Sequence, residues 1–367
     1  MLNALAFKNW ERSLAIVTIV TICSACSPVN FGMDQKDGSG VTDGTPTTGS
    51  NPPTKCYLGN DCDDGTPPPQ PFPVKETLTT QTTTKVDVLV VIDNSGSMDT
   101  ERANLANRLK SFLDPLKGLD WRLMVTTTDI DKEKGQPMKF GNGNKYLTSA
   151  DADAETQFVN LLTGVAKGSG DEQPVKAQNL AFTNPSSIYR ADAALVTVSI
   201  SDEDERSTGG YNQFAGDSQF FELTPLNLPP SVLDTVHTTW NRQKQFIANA
   251  IVIPSGNKSC WDQQAAQNNN VYYGTRLEQL AALTGGVVGN ICLSDYSSQL
   301  TSIGNVARST VAALTLQCVP ISMPTVDPLP SPYQNTQITQ TGDKLYFNPE
   351  LPSGVAVTVS YTCPGKK

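Results

Sequence analysis

The chain has 367 residues, with 27 Lys and Arg against 36 Asp and Glu, for a net charge of −9. That length suffices for a full α/β domain plus a smaller module. The acidic balance, without a basic block, excludes a nucleic-acid footprint and gives no reason for electrostatic attachment to anionic lipids.

Lys8 and Arg12 precede the apolar run 14–22, and Ser24-Ala25 stands ahead of Cys26, which is the order of an export signal. The run is too short to span a bilayer, which takes ~20 residues. A cysteine directly after small residues resembles the bacterial lipobox, with Cys23 where that pattern usually has Leu. The resemblance implies that residues 1–26 are a lipoprotein signal ending in a lipidated Cys26 that anchors the chain to a membrane. Ser27, rather than Asp, follows it. By resemblance to enterobacterial sorting this favours the outer membrane, with a periplasmic or an exterior face left open.

Residues 27–84 are dominated by Pro, Gly, Thr, Ser, Asn and Asp. Such a segment buries too little surface to offset its ordering entropy and reads as a flexible tether. Setting Cys23 and Cys26 aside, six cysteines remain: Cys56, Cys62, Cys260, Cys292, Cys318 and Cys363. An even number in an exported chain favours disulfides. Neighbourhood suggests Cys56–Cys62, Cys260–Cys292 and Cys318–Cys363. No C-x-x-C spacing occurs among the six, which argues against zinc and thioredoxin-like chemistry.

From residue 86 strands and helices alternate. The run Val88–Ile92 reads as a strand buried on both faces and ends in Asp93-Asn94-Ser95-Gly96-Ser97. One carboxylate and two hydroxyls thus stand where a strand hands over to a helix, the usual place of function in open α/β sheets. Hard oxygens with a single negative charge suit Mg2+ or Mn2+. An EF-hand fails, because its glycine position is Met98 and its terminal glutamate position is Asn104.

The D-x-S-x-S element after a buried strand resembles the metal-ion-dependent adhesion site of the von Willebrand factor A (vWA) family. The resemblance implies two further loops, one offering Thr and one offering Asp. In Gly168-Ser169-Gly170-Asp171-Glu172-Gln173, spacing back from the next helix puts Ser169 at the threonine position. Ser169 or Asp171 equally suits a plain helix cap. The third loop follows the strand 193–200 and reads Ser201-Asp202-Glu203-Asp204-Glu205. Asp202 takes the place of the family's aspartate, and Asp204 or Glu205 could add charge behind it.

Between these loops, 101–116 has helical periodicity, 121–127 reads as a strand, 130–150 as an exposed insertion, and 152–166 and 172–182 as helices. After a long loop over 203–230, a helix (231–243), a strand (246–253), a helix (277–283), an edge strand from 287 and a final helix (295–316) complete the repeat. The expected fold is α/β: a Rossmann-like vWA domain over 85–316, with a central, mostly parallel sheet flanked by helices. Residues 317–367 read as a small antiparallel β appendage stapled by Cys318–Cys363.

Catalytic patterns are missing: there is no G-x-S-x-G, H-E-x-x-H, G-x-x-x-x-G-K-[ST] or strand-linked G-x-G-x-x-G, and the single histidine, His237, lies in an apolar helical context. The chain is therefore expected to be no enzyme. The leading expectation is a metal-dependent protein-binding or adhesion module on the bacterial envelope. Asp93, Ser95, Ser97, Ser169 and Asp202 would hold Mg2+ or Mn2+, directly or through water. A protein partner's Asp or Glu would complete the shell, as the resemblance implies. The alternative is a structural envelope lipoprotein with a degenerate, metal-free vWA domain.

Overall fold

The computed structural model describes residues 70–365, apart from 82, 184, 186–187, 208–222, 241, 243 and 268–270. Cys26, Cys56 and Cys62 lie outside the described residues, as do the export signal and most of the expected tether.

The first strand, β1 (Phe72–Thr79), corrects the expected tether, which was to run to residue 84. It pairs antiparallel along its whole length with residues 356–363. Phe72, Val74 and Leu78 alternate onto the core of the C-terminal module. The Pro- and Thr-rich context hides this period-2 pattern, and only a partner strand distant in sequence makes it bury surface.

Next come β2 (Lys85–Ile92), α1 (Asp99–Ala106), α2 (Leu109–Leu113) and β3 (Asp120–Thr127). The single helix expected over 101–116 is thus broken near Asn107 and Arg108. A short strand, β4 (Leu147–Thr148), lies inside the expected insertion, where Phe140 and Leu147 are buried rather than exposed. The helices α3 (Ala154–Gly164) and α4 (Pro174–Thr183) precede β5 (Ala194–Ile200). Then follow α5 (Pro229–Thr239), β6 (Phe246–Val252), α6 (Lys258–Ala265), α7 (Thr275–Thr284), β7 (Val288–Asn290) and α8 (Ser297–Thr310).

Six strands form one sheet in the order β4-β3-β2-β5-β6-β7, and all neighbours run parallel except the edge pair β3–β4. Alternation along β2 splits the core in two. Val88, Val90 and Ile92 face Leu105, Leu109, Phe112, Phe158 and Ile303 from α1, α2, α3 and α8. Leu89 and Val91 face Val175, Phe182, Val232 and Leu280 from α4, α5 and α7. Both faces are covered, so apolar side chains dominate the strands, and even their polar members Asp87, Thr197, Ser199 and Asn249 are buried. Chain order reverses at β2, whose neighbours are β3 on one side and β5 on the other. Open α/β sheets bind ligands at the carboxyl ends of strands at such a switch point.

The C-terminal module holds β8 (Leu314–Thr315), β9 (Thr325–Val326), β10 (Gln337–Thr341), β11 (Lys344–Asn348) and β12 (Ala356–Cys363). They make two antiparallel sheets, β1-β12-β9 and β10-β11-β8. The two share one apolar cluster built around Leu345, Phe347, Val357 and Val359. Cys318–Cys363 closes this module, and Cys260–Cys292 ties the start of α6 to the chain just after β7. Among the described residues no helix is long and apolar enough to cross a membrane.

Candidate metal centre

Asp93 follows β2, and Asp202 follows β5 by two residues. The parallel register of these neighbouring strands, closed by the Asp93 N–H to the Ile200 carbonyl at 3.0 Å, brings both loops to one end of the sheet. Asp93 is fully buried. Its Oδ1 accepts from the Ser95 N–H at 2.7 Å and its Oδ2 from Ser201 Oγ at 2.6 Å. Ser95 Oγ and Ser97 Oγ lie 2.7 Å apart, and Ser97 Oγ donates to Asp202 Oδ1 at 3.1 Å. The other Asp202 oxygen is buried with no hydrogen-bond partner. Buried Arg102 fixes the first loop by donating to the Ser95 carbonyl at 2.9 Å.

The second loop is held against the first. Asn94 Nδ2 donates to the Ala166 carbonyl at 2.9 Å, and the Gly168 N–H returns to the Asn94 carbonyl at 2.9 Å. A Cβ on Gly168 would stand 2.3 Å from Asn94 Oδ1, so the Asn94 amide takes this position only because residue 168 has no side chain. Ser169 is exposed. Its N–H donates to Asp129 Oδ2 at 3.2 Å, and its hydroxyl accepts from the Asp171 N–H at 3.4 Å. Asp93, Ser95, Ser97 and Asp202 are thus joined by hydrogen bonds, while the hydrogen bonds of Ser169 go elsewhere.

Glu172 is the group this loop sends inward. It is fully buried, with Oε2 accepting from Thr128 Oγ1 at the end of β3, and with Oε1 unpartnered. The usable signal in the sequence was Pro174: proline favours the first helical position, and α4 does begin there, two residues later than expected. Counting back from residue 172 therefore selected an exposed residue.

The acids after Asp202 divide into separate tasks. Asp204 accepts from Thr275 Oγ1 at 2.5 Å and from the Arg276 N–H at 3.0 Å, which caps α7. Glu205 accepts from the Val175 N–H at 2.6 Å and the Lys176 N–H at 3.2 Å, capping α4, and from Asn227 Nδ2 at 2.6 Å. Glu203 is buried and accepts from Ser207 Oγ at 3.4 Å. Capping, not charge behind a ligand, is what Asp204 and Glu205 do.

Burial dominates the electrostatics. It raises the Asp93 carboxyl above its ordinary value. Burial and then the charge of Asp93 raise Asp202 well above its own. The same two causes push Glu172 up to about 10 and Glu203 well above the usual range. A set of mutually repelling buried carboxylates is stabilised by a positive partner or by protons.

All the oxygens here are hard, two hydroxyls sit between two carboxylates, and two buried carboxylate oxygens lack partners. The residues present therefore fit a Mg2+-type cation. Among the described residues no three His, Cys, Asp or Glu side chains group closely enough to cage an ion by themselves. A cation here would draw on the hydroxyls and on water.

No family model and no curated protein matches the chain. Among solved structures, the pilus adhesin SpaC from Lactobacillus rhamnosus GG is 13% identical over 82% of this chain and 42% of its own, with a TM-score of 0.29. Its open conformation gives 11% identity, 82% and 41% coverage, and a TM-score of 0.33. Proximal thread matrix protein 1 from the mussel byssus gives 10% identity, 65% and 50% coverage, and a TM-score of 0.36. The chain thus spans half or less of these structures, and likenesses of this degree carry no functional argument here.

Proposed function

We propose that residues 85–316 form a vWA-type domain whose switch-point loops bind one divalent cation, Mg2+ or Mn2+, as part of a protein-binding surface. The observation that carries this reading is the hydrogen-bonded line Ser95–Ser97–Asp202, which leaves one buried Asp202 oxygen unpartnered beside Asp93. When bound, the cation supplies a Lewis-acidic point that a partner's Asp or Glu can reach. Ser95 and Ser97 would offer neutral oxygens to it, and Asp93 and Asp202 the charge. Asp93 also orders the first loop through Ser95 and Ser201. Anchoring to the bacterial envelope through Cys26 belongs to the same proposal and rests on the lipobox resemblance alone.

Calorimetric titration with Mg2+ of the wild type and of Asp93→Ala tests the site. Saturable heat from the first and none from the second is expected; equal heats from both would remove the cation from the proposal.

A metal-free structural role is favoured by one observation, the placement of Ser169 away from the cluster. The two readings separate on the thermal midpoint, because a ligand that binds only the folded state must raise it. EDTA lowers the midpoint on the first reading and leaves it unchanged on the second.

A further inference from the structure

Glu172 caps no helix, and one of its buried oxygens is left without a partner. The first N–H groups of α4 are already taken by Glu205, so Glu172 is not the cap of its own helix. Its side chain is fully buried, one oxygen accepts from Thr128, and the other has no partner. Thr128, which holds the first oxygen, donates its own N–H to the Ile92 carbonyl at 3.2 Å, so the Glu172 side chain lies next to the start of the first loop. Its backbone is clamped on both sides. The Glu172 carbonyl accepts from the Arg206 N–H at 2.6 Å, and the Gln173 N–H donates to the Thr128 carbonyl at 3.2 Å. A carboxylate fixed in this way, buried among like charges, is costly unless a proton or a cation meets it.

We infer that Glu172 is the second loop's contribution to the cation, made through water, in the place expected of the Ser169 hydroxyl. The inference rests on the cation reading above. Asp93, Asp202, Ser95 and Ser97 then face the ion, and Glu172 adds a third carboxylate charge behind a water, since no three acidic side chains group closely enough among the described residues to hold an ion by themselves. Added ligand charge tightens the hold on a hard cation. The ion is then retained before any guest arrives, and a guest carboxylate is a further ligand rather than a requirement for metal binding.

The test titrates the full chain with MnCl2 by calorimetry in four forms: wild type, Glu172→Gln, Ser169→Ala and Asp93→Ala. The Mn2+-induced shift of the thermal midpoint, measured against EDTA, is the second readout. Glu172→Gln keeps the shape and the Thr128 contact, and Glu172→Met, of similar volume and without a hard oxygen, is the substitute if it fails to fold. Glu172→Gln is expected to weaken Mn2+ by on the order of 10-fold or more and to shrink the midpoint shift, while Ser169→Ala matches the wild type. In EDTA, Glu172→Gln should unfold no lower than the wild type, since the amide needs no proton taken up on folding. If Glu172→Gln binds Mn2+ like the wild type while Asp93→Ala does not bind, the inference is overturned and the cation site stands. If the wild type binds no Mn2+, both fall together.

Discussion

Asp204 and Glu205 continue an acidic run from Asp202, yet their carboxylates are spent on the N-termini of α7 and α4. At Glu205 two backbone N–H groups and the Asn227 amide depend on one side chain. Glu205→Ala should therefore destabilise the protein by about 1–3 kcal/mol in urea unfolding, the range for buried donors left unsatisfied. Because α4 starts just after Glu172, that variant should also weaken cation binding. Gly168 makes a different prediction. A methyl group there meets the Asn94 amide at 2.3 Å, so Gly168→Ala must displace that amide and its hydrogen bond to the Ala166 carbonyl, which joins the two loops. Its fold should survive by circular dichroism, while Mn2+ affinity falls by on the order of 10-fold, as for other losses of support around metal ligands.

At the scale of elements, the C-terminal module depends on a strand from the opposite end of the described chain. β1 supplies one edge of the β1-β12-β9 sheet, and Phe72, Val74 and Leu78 join Leu345, Phe347 and Val359 in a common core. Leu345 is fully buried there, so Leu345→Ala should cost about 2–5 kcal/mol, read from denaturant midpoints. Cys318–Cys363 has a sequence separation of 45 residues. Loop-entropy arithmetic then gives its removal as Cys318→Ser/Cys363→Ser a cost of about 4 kcal/mol. Neither change touches the switch-point loops. Where the α/β part remains folded, cation binding should persist, and calorimetry on the same samples checks this.

For the molecule as a whole, the buried acids set how stability depends on pH. Folding raises Glu172 from 4.5 to about 10, Glu205 from 4.5 to about 8 and Asp204 from 3.8 to about 6, burial being the largest cause in each case. The folded chain therefore holds protons that the unfolded chain releases. Below about pH 4 both states are protonated and these groups cost nothing. As pH rises from there, the unfolded state ionises first, and stability falls until each folded value is passed. The metal-free protein should thus lose stability between pH 5 and pH 9 by urea midpoints measured in EDTA. Saturating Mg2+ favours the ionised carboxylates and should flatten that slope; equal slopes with and without Mg2+ would count against a cation at these loops.

Local chemistry made much of this protein readable from its sequence. Apolar β-branched runs identified β2, β5 and β6, because strands buried on both faces are filled mainly by apolar side chains. The abrupt change from Ile92 to Asp93-Asn94-Ser95 placed functional groups at a strand end for the same reason. The cysteine neighbourhoods gave Cys260–Cys292 and Cys318–Cys363. What only the tertiary structure decided depends on partners distant in the chain. β1 becomes a strand because β12 lies beside it, although its own composition reads as a tether. Glu172 turns inward because Pro174 starts α4 and Arg206 and Thr128 clamp the loop, while Ser169, chosen by counting alone, points to solvent. The tasks of Asp204 and Glu205 likewise depend on which helix N-termini the fold sets before them, and no local pattern carries that information.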